Sequence, residues 1–156
     1  VNKAETAEQY GEQQVREWRS SYDILPPALN QNDARSAVAQ SMYRDVNPNE
    51  LPSSESLETT VARVVPYFNK VIKKDMMAGK RVIIAAHGNS LRALVKYFDK
   101  LSEEDIVNVN IPTGVPLVYE FDAQGNPLHH RYLGDPRLLK QKMEAVANQG
   151  KKAIGV

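Results

Sequence analysis

The sequence predicts an α/β fold with a mainly parallel sheet, and three neighbouring observations carry that prediction. Leu57, Val61, Val64, Val65, Phe68, Val71 and Ile72 recur at the spacing of one buried helical face. Val82-Ile83-Ile84-Ala85-Ala86 is a continuous apolar run, too short for a helix and suited to a strand covered on both faces. After the turn His87-Gly88-Asn89-Ser90, helical spacing returns at Leu91, Leu94, Val95 and Phe98. Helix, buried strand, tight turn and helix in succession are the unit from which layered α/β sheets are built.

The remaining elements follow from local signals. Residues 2–22 are rich in Glu, Gln, Ala and Arg, with Asn2 as expected N-cap and Glu5 three residues on. Gly11 divides them into two short helices, and Pro26-Pro27 ends the pattern. Residues 24–52 read as one long irregular loop, a length that in a compact domain points to function or mobility. Ser53-Ser54-Glu55 is the expected start of the next helix, Pro66 its expected kink and Gly79 its stop. Ser102 caps a short helix, residues 116–121 and a stretch around 130–132 form a hairpin over the turn 122–126, and Pro136 begins a last helix reaching about Asn148. The basic end, 149–156, is expected to be a mobile tail.

Composition excludes several classes. With 156 residues there is enough chain for one core, and apolar and charged fractions of 42% and 25% are those of a folded globular protein. Twenty basic against nineteen acidic residues argue against a nucleic-acid or membrane surface. No apolar run spans a bilayer, and Val1-Asn2-Lys3-Ala4-Glu5 does not read as a signal peptide. The absence of cysteine removes disulfides, thiolate metal sites and cysteine nucleophiles, and fits a reducing compartment.

The strongest site signal is the turn at His87. Ligands of open α/β sheets bind beyond the carboxyl ends of strands, where the next helix offers unpaired N–H groups to a phosphate or carboxylate. Gly88 permits close approach, Asn89 adds an amide, and a protonated imidazole donates to a phosphoryl oxygen. Pattern alone leaves open a structural histidine before an ordinary helix cap. Adjacent His129 and His130 point to opposite faces of a strand and do not share a metal; solvated edge positions are expected for them. No zinc, P-loop or dinucleotide signature is present.

Three stretches closely resemble the 2,3-bisphosphoglycerate-dependent phosphoglycerate mutases of the histidine phosphatase superfamily. They are Pro52-Ser53-Ser54-Glu55-Ser56-Leu57, Arg81-Val82-Ile83-Ile84-Ala85-Ala86-His87-Gly88-Asn89-Ser90-Leu91-Arg92 and Asn110-Ile111-Pro112-Thr113-Gly114-Val115-Pro116. The opening Asn2-Lys3-Ala4-Glu5-Thr6-Ala7 and the closing Ala145-Val146-Ala147-Asn148-Gln149-Gly150-Lys151 resemble the same family. The resemblance implies a three-layer fold with a mostly parallel sheet, a cytoplasmic glycolytic isomerase, phosphoglycerate substrates, 2,3-bisphosphoglycerate as primer and no metal. It makes His87 the second active-site histidine, which stabilises the phosphoryl group in transfer. Gly88, Asn89 and Lys3 become substrate contacts, and Arg19 the first of two anion-binding arginines. A histidine phosphatase of the same superfamily and a non-catalytic interaction module are the rival readings.

Two departures qualify the resemblance. Ser20 stands where the family's second arginine is expected. The Arg-His-Gly motif of the phospho-acceptor occurs nowhere in residues 1–156, nor do the catalytic glutamate and tyrosine expected upstream of Asn2. The chain is therefore expected to be the C-terminal portion of a single mutase domain, lacking the first sheet strand, and to form a homo-oligomer or associate with the missing part.

Overall fold

The computed structural model describes the backbone of residues 3–148 and the side chains of residues 5–148. The expected cap at Asn2 and the expected tail at 149–156 lie outside the described residues. Helices α1 (Lys3–Tyr10) and α2 (Glu12–Ser20) meet at Gly11, whose φ of 87° is left-handed territory that favours glycine. Residues 24–52 hold only three short 3-10 turns, yet the two ends of this excursion are tied together. The Leu29 N–H donates to the Ser53 carbonyl at 3.0 Å, the Ser54 hydroxyl to the Pro26 carbonyl at 2.6 Å, and the Glu58 N–H to the Tyr22 carbonyl at 2.8 Å.

That use of Ser54 moves the next helix start from its expected place. Helix α3 (Leu57–Tyr67) is capped by Ser56, whose side chain takes the Thr59 N–H at 3.2 Å while the Thr59 hydroxyl takes the Ser56 N–H at 2.9 Å. Pro66 has no N–H to continue the ladder, and the chain passes through a π-helical turn, Phe68–Ile72, into α4 (Lys73–Met77). After an extended stretch come α5 (Gly88–Asp99) and α6 (Glu103–Ile106). Strands β1 (Leu117–Phe121) and β2 (Pro127–Tyr132) and helix α7 (Pro136–Ala147) complete the order. Ser102 caps α6 and Asp135 caps α7, with Pro136 in its first turn.

The core lies where α3 and its π turn face α5. Phe68, Leu94 and Phe98 form one cluster, closed by Val64, Ile72, Met76, Ile84, Tyr119 and Phe121. Leu57, Ala93 and Ile106 form a second, and the small Ala93 side chain is fully enclosed between them and their neighbours. The rings of Phe68 and Phe98 meet edge to face at 4.8 Å, and Phe98 meets Tyr119 at 4.9 Å, which fastens the hairpin to α5.

The sheet departs from expectation. Among the described residues it is a two-stranded antiparallel hairpin, with Leu117 opposite Tyr132 and an irregularity between Glu120 and Phe121. Residues 80–87, expected to hold a buried strand, pair with nothing as a strand: Ile83 is 95% exposed and Val82 is exposed, while Ile84 turns into the core. The reason is physical. An extended segment becomes a strand only beside another strand with free N–H and C=O groups, and β1 and β2 pair with each other. The α/β character stands, but the described residues do not assemble the mostly parallel, three-layer sheet.

These burial differences set an expectation for unfolding in urea. Phe68→Ala is expected to lower stability by about 3–5 kcal/mol, whereas Ile83→Ala, at a site already in water, is expected to change it by less than about 0.5 kcal/mol.

Candidate functional site

His87 is the N-cap of α5, with extended backbone dihedrals of −62° and 149°. Its Nδ1 accepts the Asn89 N–H at 3.3 Å. That contact assigns the proton of the neutral ring to Nε2, which makes Nε2–H the donor left to a ligand. His87 is exposed. At Gly88 an added Cβ would meet no atom within 4 Å, so the space beside the backbone is open. The first-turn N–H groups of a 12-residue helix point into that region, with the positive end of its dipole.

The other expected contacts converge on a residue the sequence reading did not single out. Arg92, 7% exposed, lies one turn along α5 from Asn89. Its Nη1 donates to the Arg19 carbonyl at 3.0 Å and to Asn89 Oδ1 at 3.4 Å. Its Nη2 donates to the carbonyls of Ser20 at 3.0 Å and Ile106 at 2.8 Å. One buried guanidinium thus joins the last residues of α2 and α6 to the first turn of α5. Burial, and after it the charge of Arg19, pushes the Arg92 pKa down. A guanidinium remains charged nonetheless. The available signal was an arginine one helical turn after Asn89, flanked on α5 by the buried Ala93, Leu94 and Val95.

Arg19 extends from α2 to the far end of the chain, where Nη2 donates to the Val146 carbonyl of α7 at 3.4 Å. Partial burial lowers its pKa as well. Ser20 contributes its carbonyl to Arg92, and its side chain is no substitute for a second cation. Lys3 opens α1, but its side chain lies outside the described residues. The main chain of Arg19 and Ser20 is therefore tied through Arg92 to the end of α5 that carries His87, Gly88 and Asn89, the Arg19 guanidinium is turned to α7, and the position of the Lys3 amine relative to them is not described.

Roughly 17 Å away, at the other end of α5, a hollow of about 420 Å³ is lined by Phe98, Asp99, Tyr119, Pro127, Leu128, His129 and His130. There the Tyr119 hydroxyl donates to Asp99 Oδ1 at 3.1 Å, and His130 Nδ1 lies 3.2 Å from Asp99 Oδ2. His129 faces the opposite side of β2, 3.4 Å from Glu120. Among the described residues no group of three or more His, Asp or Glu is placed to hold a metal ion, and no helix is long and apolar enough to cross a membrane.

Comparison with known proteins gives the same direction. The family model of the histidine phosphatase superfamily (branch 1) matches residues 2–132. A protein of Treponema denticola is 60% identical over 152 residues, covering 97% of this chain and 62% of its own length. One from Lachnoclostridium phytofermentans is 59% identical over 154 residues, covering 99% and 62%. One from Borreliella burgdorferi is 56% identical over 151 residues, covering 97% and 61%. Each is named 2,3-bisphosphoglycerate-dependent phosphoglycerate mutase, and the chain spans about 62% of the length of the first two.

The cluster at the far end of α5 yields a pH expectation. Burial, then Asp99, raises the Tyr119 pKa above its ordinary value of 10.0. The unfolded chain therefore loses this proton first, so the stabilisation is complete below about pH 10 and declines as pH rises further. Because the ring is only half-buried, the decline should be less than the ~1.4 kcal/mol per pH unit of a fully shielded group. Urea titrations at pH 9 and 11 should show a smaller drop for Tyr119→Phe than for the wild type.

Proposed function

Since the chain belongs to the histidine phosphatase superfamily (branch 1), we propose that it is the His87-bearing portion of a phosphoglycerate mutase, interconverting 3-phosphoglycerate and 2-phosphoglycerate through a phosphohistidine. The observation that carries this reading is the imidazole of His87. It stands exposed at the N-terminus of α5, with Nδ1 anchored on a backbone N–H and Nε2 left as donor. A phosphoryl group passing between two oxygen or nitrogen atoms spreads negative charge over its equatorial oxygens, and fixed donors aimed there lower the barrier.

The residues present suit a polyanion such as 2,3-bisphosphoglycerate. The Nε2–H of His87, the first-turn amides of α5 and the Asn89 amide make a donor set with a helix dipole, and Arg19, whose main chain is tied to Asn89 through Arg92, adds a guanidinium. The bisphosphate supplies the phosphoryl group that primes an acceptor imidazole. His87 stabilises charge on the group in transfer, and protonation strengthens its donation. Arg19 and Asn89 hold the substrate's anionic ends, which fixes the attacking hydroxyl relative to the phosphoryl group. Ser20, in place of a guanidinium, weakens that grip. Lys3 adds a further substrate contact.

The acceptor imidazole belongs to an Arg-His-Gly motif that residues 1–156 do not contain; their three histidines are His87, His129 and His130. With that segment alongside, residues 82–86 would find a neighbouring strand and complete a three-layer, mostly parallel sheet. Within the cytoplasm the chain works as part of such an assembly, in a homo-oligomer or joined to the acceptor-bearing part.

Residues 1–156 alone are expected to leave 3-phosphoglycerate and 2,3-bisphosphoglycerate unchanged, because nucleophilic phosphoryl transfer needs the acceptor. A ³¹P NMR time course reads both products. Isomer exchange above an enzyme-free control overturns the expectation of inactivity, and release of inorganic phosphate alone favours a phosphatase.

A further inference from the structure

We infer that Arg92 is a positioning residue for this anion site and acts through Asn89: by holding the Asn89 oxygen it leaves the amide NH₂ as the face offered to a phosphorylated ligand. The inference rests on the reading that the N-terminus of α5 receives the phosphoglycerate.

A guanidinium has donors only, so the end of the Asn89 amide turned toward it must be the oxygen. An amide has one acceptor end and one donor end, and once Oδ1 is taken the NH₂ is the end left to a ligand. The reverse orientation would set oxygen lone pairs against a phosphate. His87 is held in the same sense, because Nδ1 accepts the Asn89 backbone N–H and leaves Nε2–H outward. Arg92 thereby contributes to a rim made of donors without touching the ligand.

The geometry uses both terminal nitrogens of the fork. Each terminal nitrogen carries two hydrogens and serves two acceptors: Nη1 takes the Arg19 carbonyl and Asn89 Oδ1, and Nη2 takes the Ser20 and Ile106 carbonyls. Three carbonyls would be enough to tie α2 and α6 to α5; the fourth acceptor is the side chain that faces the site. Nε has no partner among the described residues. A lysine ammonium offers three rotatable hydrogens from one point and does not serve four acceptors spread across a plane.

The test titrates the ¹⁵N-labelled chain with 3-phosphoglycerate and follows the side-chain amide of Asn89 and the ring of His87. In the wild type both are expected to shift and saturate. Arg92→Lys is expected to weaken binding by about tenfold and to abolish the Asn89 amide shift, yet to cost less than about twofold in an Asn89→Ala background. No response of the wild type at the start of α5 sinks the phosphoglycerate reading itself. A responding wild type, with Arg92→Lys binding equally well or losing as much in the Asn89→Ala background, overturns the role of Arg92 alone. Should Arg92→Lys fail to fold, Asn89→Asp decides, since it keeps an oxygen for Arg92 and turns a second oxygen toward the ligand. It is expected to bind at least about tenfold more weakly than Asn89→Ala, and equal or tighter binding overturns the inference.

Discussion

The Arg92 guanidinium, enclosed between helices with its two terminal nitrogens bonded to three main-chain carbonyls and one side-chain oxygen, is the contact on which the arrangement of the site depends. Helix ends expose carbonyls that need donors, and α2 and α6 both bring theirs to this point. A cation buried without partners is costly, and four acceptors offset that cost only if the three helices keep their mutual positions. The carbonyls of Arg19 and Ser20 come from a segment nearly seventy residues before Asn89 in sequence, and this one group ties that segment to the start of α5.

Helix α5 links that site to the rest of the molecule. Its buried face, Ala93, Leu94, Val95 and Phe98, packs on α3 and the π turn, and the aromatic contacts of Phe98 bring in the hairpin. The chemistry concentrates at the N-terminus, where N–H groups and dipole favour anions. The C-terminal end carries the acidic Asp99, met by Tyr119 and His130. An acidic residue at this end opposes the helix dipole, and the Tyr119 hydroxyl that donates to it offsets that cost.

Much of the fold was legible from local signals. Gly11, Pro136, Ser102 and the turn at 122–126 mark element boundaries because each acts through the backbone of its own few residues. Ser56 was harder to choose over Ser53 and Ser54, since three nearby serines offer the same hydroxyl and only the excursion's need for a donor to Pro26 assigns Ser54 elsewhere. The strand at 82–86 illustrates the limit from the other side. Its apolar pattern states what it is made to be covered by, but a strand exists only with a partner, and partners are not a local property.

By itself, the sequence determined the helical faces, the caps and hairpin, and the imidazole-glycine-asparagine turn suited to an anion, because periodicity and backbone chemistry act over a few residues. Tertiary structure alone decided that Arg92 gathers α2, α5 and α6, that Arg19 reaches the end of α7, and that Val82 and Ile83 lie open to water while Ile84 packs on the core. Those outcomes depend on which distant carbonyls, edges and side chains arrive at the same point, and no spacing along the chain encodes that meeting.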